Sequence, residues 1–132
     1  MEAQCQCGQL RVEYPGETPA VVACHCMACQ RRTGAPFAVL AYYPAEALTI
    51  LGEATRFERT ADSGNGFESF FCPKCGSTVY VRASARPEMI GLAVGTMADP
   101  AFKAPINSVW EDAKHHWVTI PGEIQHFPQA RQ

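Results

Sequence analysis

Seven of the 132 residues are cysteine, and they fall into three groups. Cys5 and Cys7 are separated by one residue, Cys72 and Cys75 by two, and Cys24, Cys26 and Cys29 crowd into six positions. Thiolates are soft ligands, and zinc in a structural role takes four ligands in a tetrahedron. In Cys72-Pro73-Lys74-Cys75-Gly76 the two sulfurs of a tight turn can aim at one ion, with Gly76 letting the backbone fold beneath it. In Cys5-Gln6-Cys7 an extended chain presents alternate side chains on one side, so both sulfurs reach a common metal. The two pairs together make a closed set of four. Cys24, Cys26 and Cys29 then leave one coordination position open, the mark of a catalytic or exchangeable site. A second partition fits the spacing as well: Cys24 and Cys26 join Cys72 and Cys75, leaving Cys5, Cys7 and Cys29. The first partition has the three ligands of the open site close together, with little chain to order between them.

Three thiolate charges outweigh the two of a zinc ion, so the open site is anionic. A substrate thiol bound there would be deprotonated by the metal and held as a nucleophile beside an aldehyde. Run backwards, the same geometry releases aldehyde from a hemithioacetal. Arg31 and Arg32 follow the cluster directly and suit a substrate carboxylate or the anionic site itself, with a solvated surface position as the equal alternative. His25 lies between two cysteines, where an extended segment turns its side chain away from the metal, to a place behind the ligands or at the surface. His115, His116 and His126 show no metal spacing and read as surface residues. Trp110 and Trp117 read as core or pocket wall, and Asp99-Pro100 as a turn.

The elements that must position these groups are short. Ten glycines and ten prolines cut the chain into segments that suit strands better than helices. Leu10, Val12 and Tyr14 alternate with Arg11 and Glu13 as a half-buried strand stopped by Pro15-Gly16. Ala20 to Ala23 is an apolar run feeding the three-cysteine cluster. Further strands are expected at Phe37 to Tyr43, Thr55 to Arg59, Phe67 to Phe71, Thr78 to Arg82 and Met89 to Val94. A helical turn is expected in Pro44 to Leu48 and a turn in Asp62-Ser63-Gly64-Asn65-Gly66. No segment holds a 3.6-residue period for three turns, so helix is expected to be minor.

Composition narrows the class. Apolar residues make up 47% of the chain, enough for one globular domain and against disorder. The net charge of -2 comes without a basic stripe, which disfavours a nucleic-acid-binding zinc ribbon. No apolar run approaches the roughly 20 residues that cross a bilayer. MEAQCQCGQL has neither a basic n-region nor an apolar h-region. The expectation is a cytoplasmic chain whose odd number of thiols stays reduced and binds metal. A thiol redox sensor remains a further property of such a cluster.

Three stretches carry a family resemblance. They are Cys5-Gln6-Cys7-Gly8, the run Cys24-His25-Cys26-Met27-Ala28-Cys29-Gln30-Arg31-Arg32-Thr33-Gly34-Ala35-Pro36-Phe37, and Phe71-Cys72-Pro73-Lys74-Cys75-Gly76-Ser77. With Gly95-Thr96-Met97-Ala98-Asp99-Pro100, the chain resembles the glutathione-dependent formaldehyde-activating enzymes from Cys5 to about Trp117. The resemblance implies a mainly β, single Mss4-like domain over residues 1–132, of short antiparallel sheets with zinc knuckles and little helix. It implies two zinc ions, a structural one on Cys5, Cys7, Cys72 and Cys75 and a catalytic one on Cys24, Cys26 and Cys29. The implied activity is that of a carbon–sulfur lyase, joining glutathione and formaldehyde into S-hydroxymethylglutathione. Its partners would be a small thiol and an aldehyde, with neither nucleic acid nor membrane. Many relatives carry an Arg shortly before the knuckle, where this chain has Glu68-Ser69-Phe70-Phe71, and a His where it has Pro105 to Trp110. Glutathione is therefore expected to bind weakly, another thiol or its adduct being the natural ligand. The alternative reading is a non-enzymatic zinc module that binds a small thiol or a protein cysteine through its open position.

Overall fold

The structure, a computed structural model, describes residues 1–61 and 64–131. The described strands are β1 (Glu2–Gln4), β2 (Arg11–Glu13), β3 (Val21–Cys24), β4 (Ala38–Pro44), β5 (Thr49–Leu51), β6 (Thr55–Thr60), β7 (Gly66–Phe71), β8 (Thr78–Ala83), β9 (Met89–Ala93), β10 (Asn107–Val109) and β11 (Gln125–His126). One α-helix, α1 (Met27–Thr33), lies among them, with single 3-10 turns at Ala45–Ala47, Val94–Met97 and Glu111–Ala113. The expected strands are all present, and the helical turn after Pro44 is the 3-10 turn at Ala45–Ala47. The expected turn at Asp62 to Gly66 lies partly outside the described residues.

The strands form a sheet in the order β1-β2-β5 and a second in the order β11-β10-β3-β4-β9-β8-β7-β6. Most pairings are antiparallel, as expected, but β10 runs parallel to both β3 and β11. The pairing of β10 with β3 joins residues more than eighty positions apart, which no local turn signal announces.

Register decides which side chains share a face. Val21, Ala41, Tyr43, Ile90, Leu92 and Tyr80 lie on one face of the large sheet. They pack with Ala3, Leu10, Val12 and Tyr14 of the small sheet in one buried core. The opposite face carries Val22 and Cys24 of β3, Tyr42 of β4, Gly91 of β9, Val81 of β8 and Ser69 of β7. A bulge between Phe70 and Phe71 pairs Phe71 with Thr78, bringing both to that second face while Val79 stays in the core. Gly91 has a packing role there. A Cβ at this position would stand 3.0 Å from Tyr42 Cε1 and from Val81 Cγ2, so glycine makes room for the Tyr42 ring.

Candidate metal centre

The four-cysteine group is assembled from the loop after β1 and the turn between β7 and β8. The sulfurs of Cys5, Cys7, Cys72 and Cys75 all lie within 4.8 Å of one another. Cys7 Sγ is 3.6 Å from both Cys5 Sγ and Cys72 Sγ. Four sulfurs at about 2.3 Å from a zinc ion in a tetrahedron stand about 3.8 Å apart, so this group fits the ion. Backbone donors already face the sulfurs: Leu10 N–H to Cys5 Sγ at 3.3 Å and Lys74 N–H to Cys72 Sγ at 3.3 Å. Gln9 Nε2 donates to Cys72 Sγ at 3.1 Å. Hydrogen bonds from the Ser77 hydroxyl and backbone hold the Cys75 thiol down at about 5. Such donors favour thiolate over thiol and orient the ligands.

The second group forms where β3 runs into α1. Cys24 ends the strand, Cys26 is the residue before the helix, and Cys29 sits in its first turn. Cys26 Sγ caps the helix by accepting from Cys29 N–H at 3.3 Å. Gly34, with φ 67°, closes the other end, its N–H donating to Gln30 O. A helix of seven residues has little stability of its own. The missing three-turn period correctly indicated minor helix, but no periodic signal located this one, which a cysteine cap and a glycine cap define. The sulfurs of Cys24, Cys26 and Cys29 also lie within 4.8 Å of one another, which fits three corners of a zinc tetrahedron. All seven cysteines are free thiols. Among the described residues no fourth His, Cys, Asp or Glu joins this trio. The partition that keeps Cys24, Cys26 and Cys29 together is the one the chain adopts, and the pairing of Cys24 and Cys26 with Cys72 and Cys75 is not.

Hydrogen bonds among the three thiols spread their titration. Cys26 accepts from Cys24 and Cys29 and is held far below the ordinary thiol value, while Cys24 is pushed far above it by hydrogen bonds to its two partners and by burial.

Other groups converge here that spacing did not single out. Cys24 opens into a cleft of about 640 Å³ on the second sheet face, which Tyr42, Asn107, Trp110 and Arg131 also line. Burial pushes the Tyr42 phenol up to about 12, and the nearby Cys29 and Cys24 sulfurs add to the shift, so it stays protonated at neutral pH. Tyr42 sits in the apolar run FAVLAYY, where only the register of β4 shows which tyrosine faces the cysteines. Arg32 Nη2 is 3.9 Å from Cys29 Sγ, whereas Arg31 is exposed. His25 is fully buried, its Nε2 2.9 Å from Ser108 Oγ, and thus stands behind the ligands. Gln30 Nε2 donates to His25 O and Ala113 O, tying α1 to the 3-10 turn at Glu111–Ala113. His115, His116 and His126 are at the surface. Trp110 walls the cleft, but Trp117 is 63% exposed and belongs to neither core nor pocket.

A family model described as glutathione-dependent formaldehyde-activating enzyme matches residues 1–113. A crystal structure of a Rhodobacter sphaeroides protein has a similar fold, with a TM-score of 0.60 and 22% identity, covering 78% of this chain and 91% of that one. Both cysteine groups and most of the large sheet lie within the matched residues, and the chain belongs to the glutathione-dependent formaldehyde-activating enzyme family.

Proposed function

We propose that the chain is a carbon–sulfur lyase acting on a thiol–aldehyde adduct. The reaction would resemble the joining of glutathione and formaldehyde that the family's name denotes. The observation that carries this reading is the trio of Cys24, Cys26 and Cys29, three sulfurs gathered beside a cleft with no fourth among the described residues. The four-cysteine group would hold a structural zinc ion and the trio a catalytic one. A zinc ion at the trio supplies a soft Lewis acid with one position free for sulfur, lowering the pKa of a thiol there.

The chain's own residues would do the rest. The overall addition forms one C–S bond and moves the thiol proton to the carbonyl oxygen; the reverse breaks that bond and returns thiol and aldehyde. Tyr42 Oη, protonated and facing the cleft of Cys24, is the group we assign to donate a hydrogen bond to the adduct oxygen. Arg32 offsets the negative charge of the trio from its position near Cys29. Burial of His25 and its bond to Ser108 keep the strand end between Cys24 and Cys26 in place.

The test is turnover of a panel of hemithioacetals by the zinc-loaded protein. Catalysed release or formation of aldehyde, lost in Cys26→Ser, is the expected result. Saturable thiol binding without turnover would contradict the lyase reading and favour a zinc module that only binds thiols.

A further inference from the structure

The second sheet face holds another cleft, of about 570 Å³, bounded by α1 on one side and by β6, β7 and β8 on the other. Register builds its floor, setting Phe57 opposite Ser69 and Arg59 opposite Phe67, with Phe71 next along β7. Arg31 and Arg32 lean in from α1. Three guanidinium groups and three phenyl rings therefore meet in one concavity, and no lining residue is acidic. Among the described residues none of the three arginines makes an ion pair. The Arg59 guanidinium lies 4.8 Å from the centroid of the Phe67 ring, which fixes it over an apolar surface. Phe57 is 59% exposed, a large apolar group left in water beside these cations.

The cleft adjoins the cysteine trio. Arg32 spans the two, with Nη2 3.9 Å from Cys29 Sγ while its side chain lines the cleft. Arg59 is also close enough for its charge to act on Cys26, adding to the hydrogen bonds from Cys24 and Cys29.

These features describe a ligand. Arginines present planar donors to a carboxylate, and the phenyl rings cover an apolar body. An ammonium group finds no partner in the lining. Glutathione carries an ammonium and two carboxylates on a polar chain, and so complements this surface poorly. We propose that the cleft binds an organic anion of the arylalkanoate type, a carboxylate on an aromatic or similarly bulky apolar body. Building on the lyase reading, the thiol handled by the cysteine trio belongs to the same class, a mercapto acid with an apolar body.

Binding to the zinc-loaded full chain, measured by calorimetry, tests this with three probes: 3-phenylpropanoate, 2-mercapto-3-phenylpropanoate and glutathione. The first has no sulfur and reads the cleft apart from the cysteines. It is expected to bind saturably and to compete with the mercapto acid. Its affinity is expected to fall about tenfold in Arg59→Ala and in Phe57→Ser, both checked for unchanged melting. The mercapto acid is expected to bind more tightly than glutathione. No saturable binding of 3-phenylpropanoate, equal binding in Arg59→Ala, or tighter binding of glutathione would overturn the proposal. Cleft binding retained without turnover of the mercapto acid's aldehyde adduct would uphold the cleft and count against the lyase reading.

Discussion

Replacing one sulfur of a four-thiolate set leaves a metal site that can no longer close, and where the metal is part of the folded state its binding energy is folding energy. Cys75→Ser is therefore expected to lose one zinc ion and to lower Tm by about 10 °C or more. Cys26→Ser should behave differently. Serine caps a helix as well as cysteine does, so α1 persists and Tm stays within about 3 °C while turnover is abolished. Zinc content and melting curves of the two variants check this. If Cys26→Ser unfolds the chain as Cys75→Ser does, the assignment of roles is wrong. Tyr42→Phe removes one phenol oxygen and keeps the ring. Turnover should fall about 100-fold with little change in KM, as measured by steady-state kinetics, if the phenol stabilises charge in the reaction. The cysteines were legible in sequence because ligand spacing within each cluster is local. Tyr42 and Arg59 were not, because their approach to the cysteines depends on pairing between β4 and β3 and between β6 and β7.

Strand register converts this sequence into a site, and Gly91 marks where register is tight. In Gly91→Ala the added carbon meets Tyr42 and Val81 at 3.0 Å, and both lie in a packed sheet. The expected cost is about 1–3 kcal/mol in chemical denaturation, with zinc retained and turnover reduced as the Tyr42 ring shifts. The end of the described chain is held by another device. His126 Nδ1 donates to Glu111 Oε2 at 2.7 Å, and Trp110 N–H donates to Gln129 O, strapping β11 beside β10. Burial pushes the Glu111 carboxyl up, but hydrogen bonds from His126 and Ser108 outweigh it and hold the value below 4.5. Stability from a lowered carboxyl is present above its unfolded value and lost as pH falls through the folded one. Wild type should therefore melt above Glu111→Gln at pH 7, and the gap should narrow as pH falls below the ordinary carboxylate value and through the lowered one, as thermal melts across pH will show. Apolar runs bounded by turn residues made most of the large sheet legible, since β4, β7, β8 and β9 each run five residues or more. Strands of two or three residues, such as β10 and β11, carry too few positions for a pattern. The helix α1 was hidden because caps define it and no periodic stretch does.

For the molecule as a whole, the four-cysteine group ties the first residues of the chain to the β7–β8 turn across a separation of 65 positions, from Cys7 to Cys72. A metal ion there closes a long loop and couples its own binding to the fold. The trio spans six positions of one strand end and one helix turn, so an ion there orders little chain. This contrast implies that the two ions leave at different points and with different consequences. Graded chelation of the zinc-loaded protein, followed together by metal content, circular dichroism and hemithioacetal turnover, tests it most directly. The expected result is two steps: one ion leaves first and takes turnover with it while the β spectrum is kept, and the second leaves as the fold is lost. Loss of both ions in a single step with unfolding, or turnover that survives departure of the first ion, would contradict the division into a structural and a catalytic site.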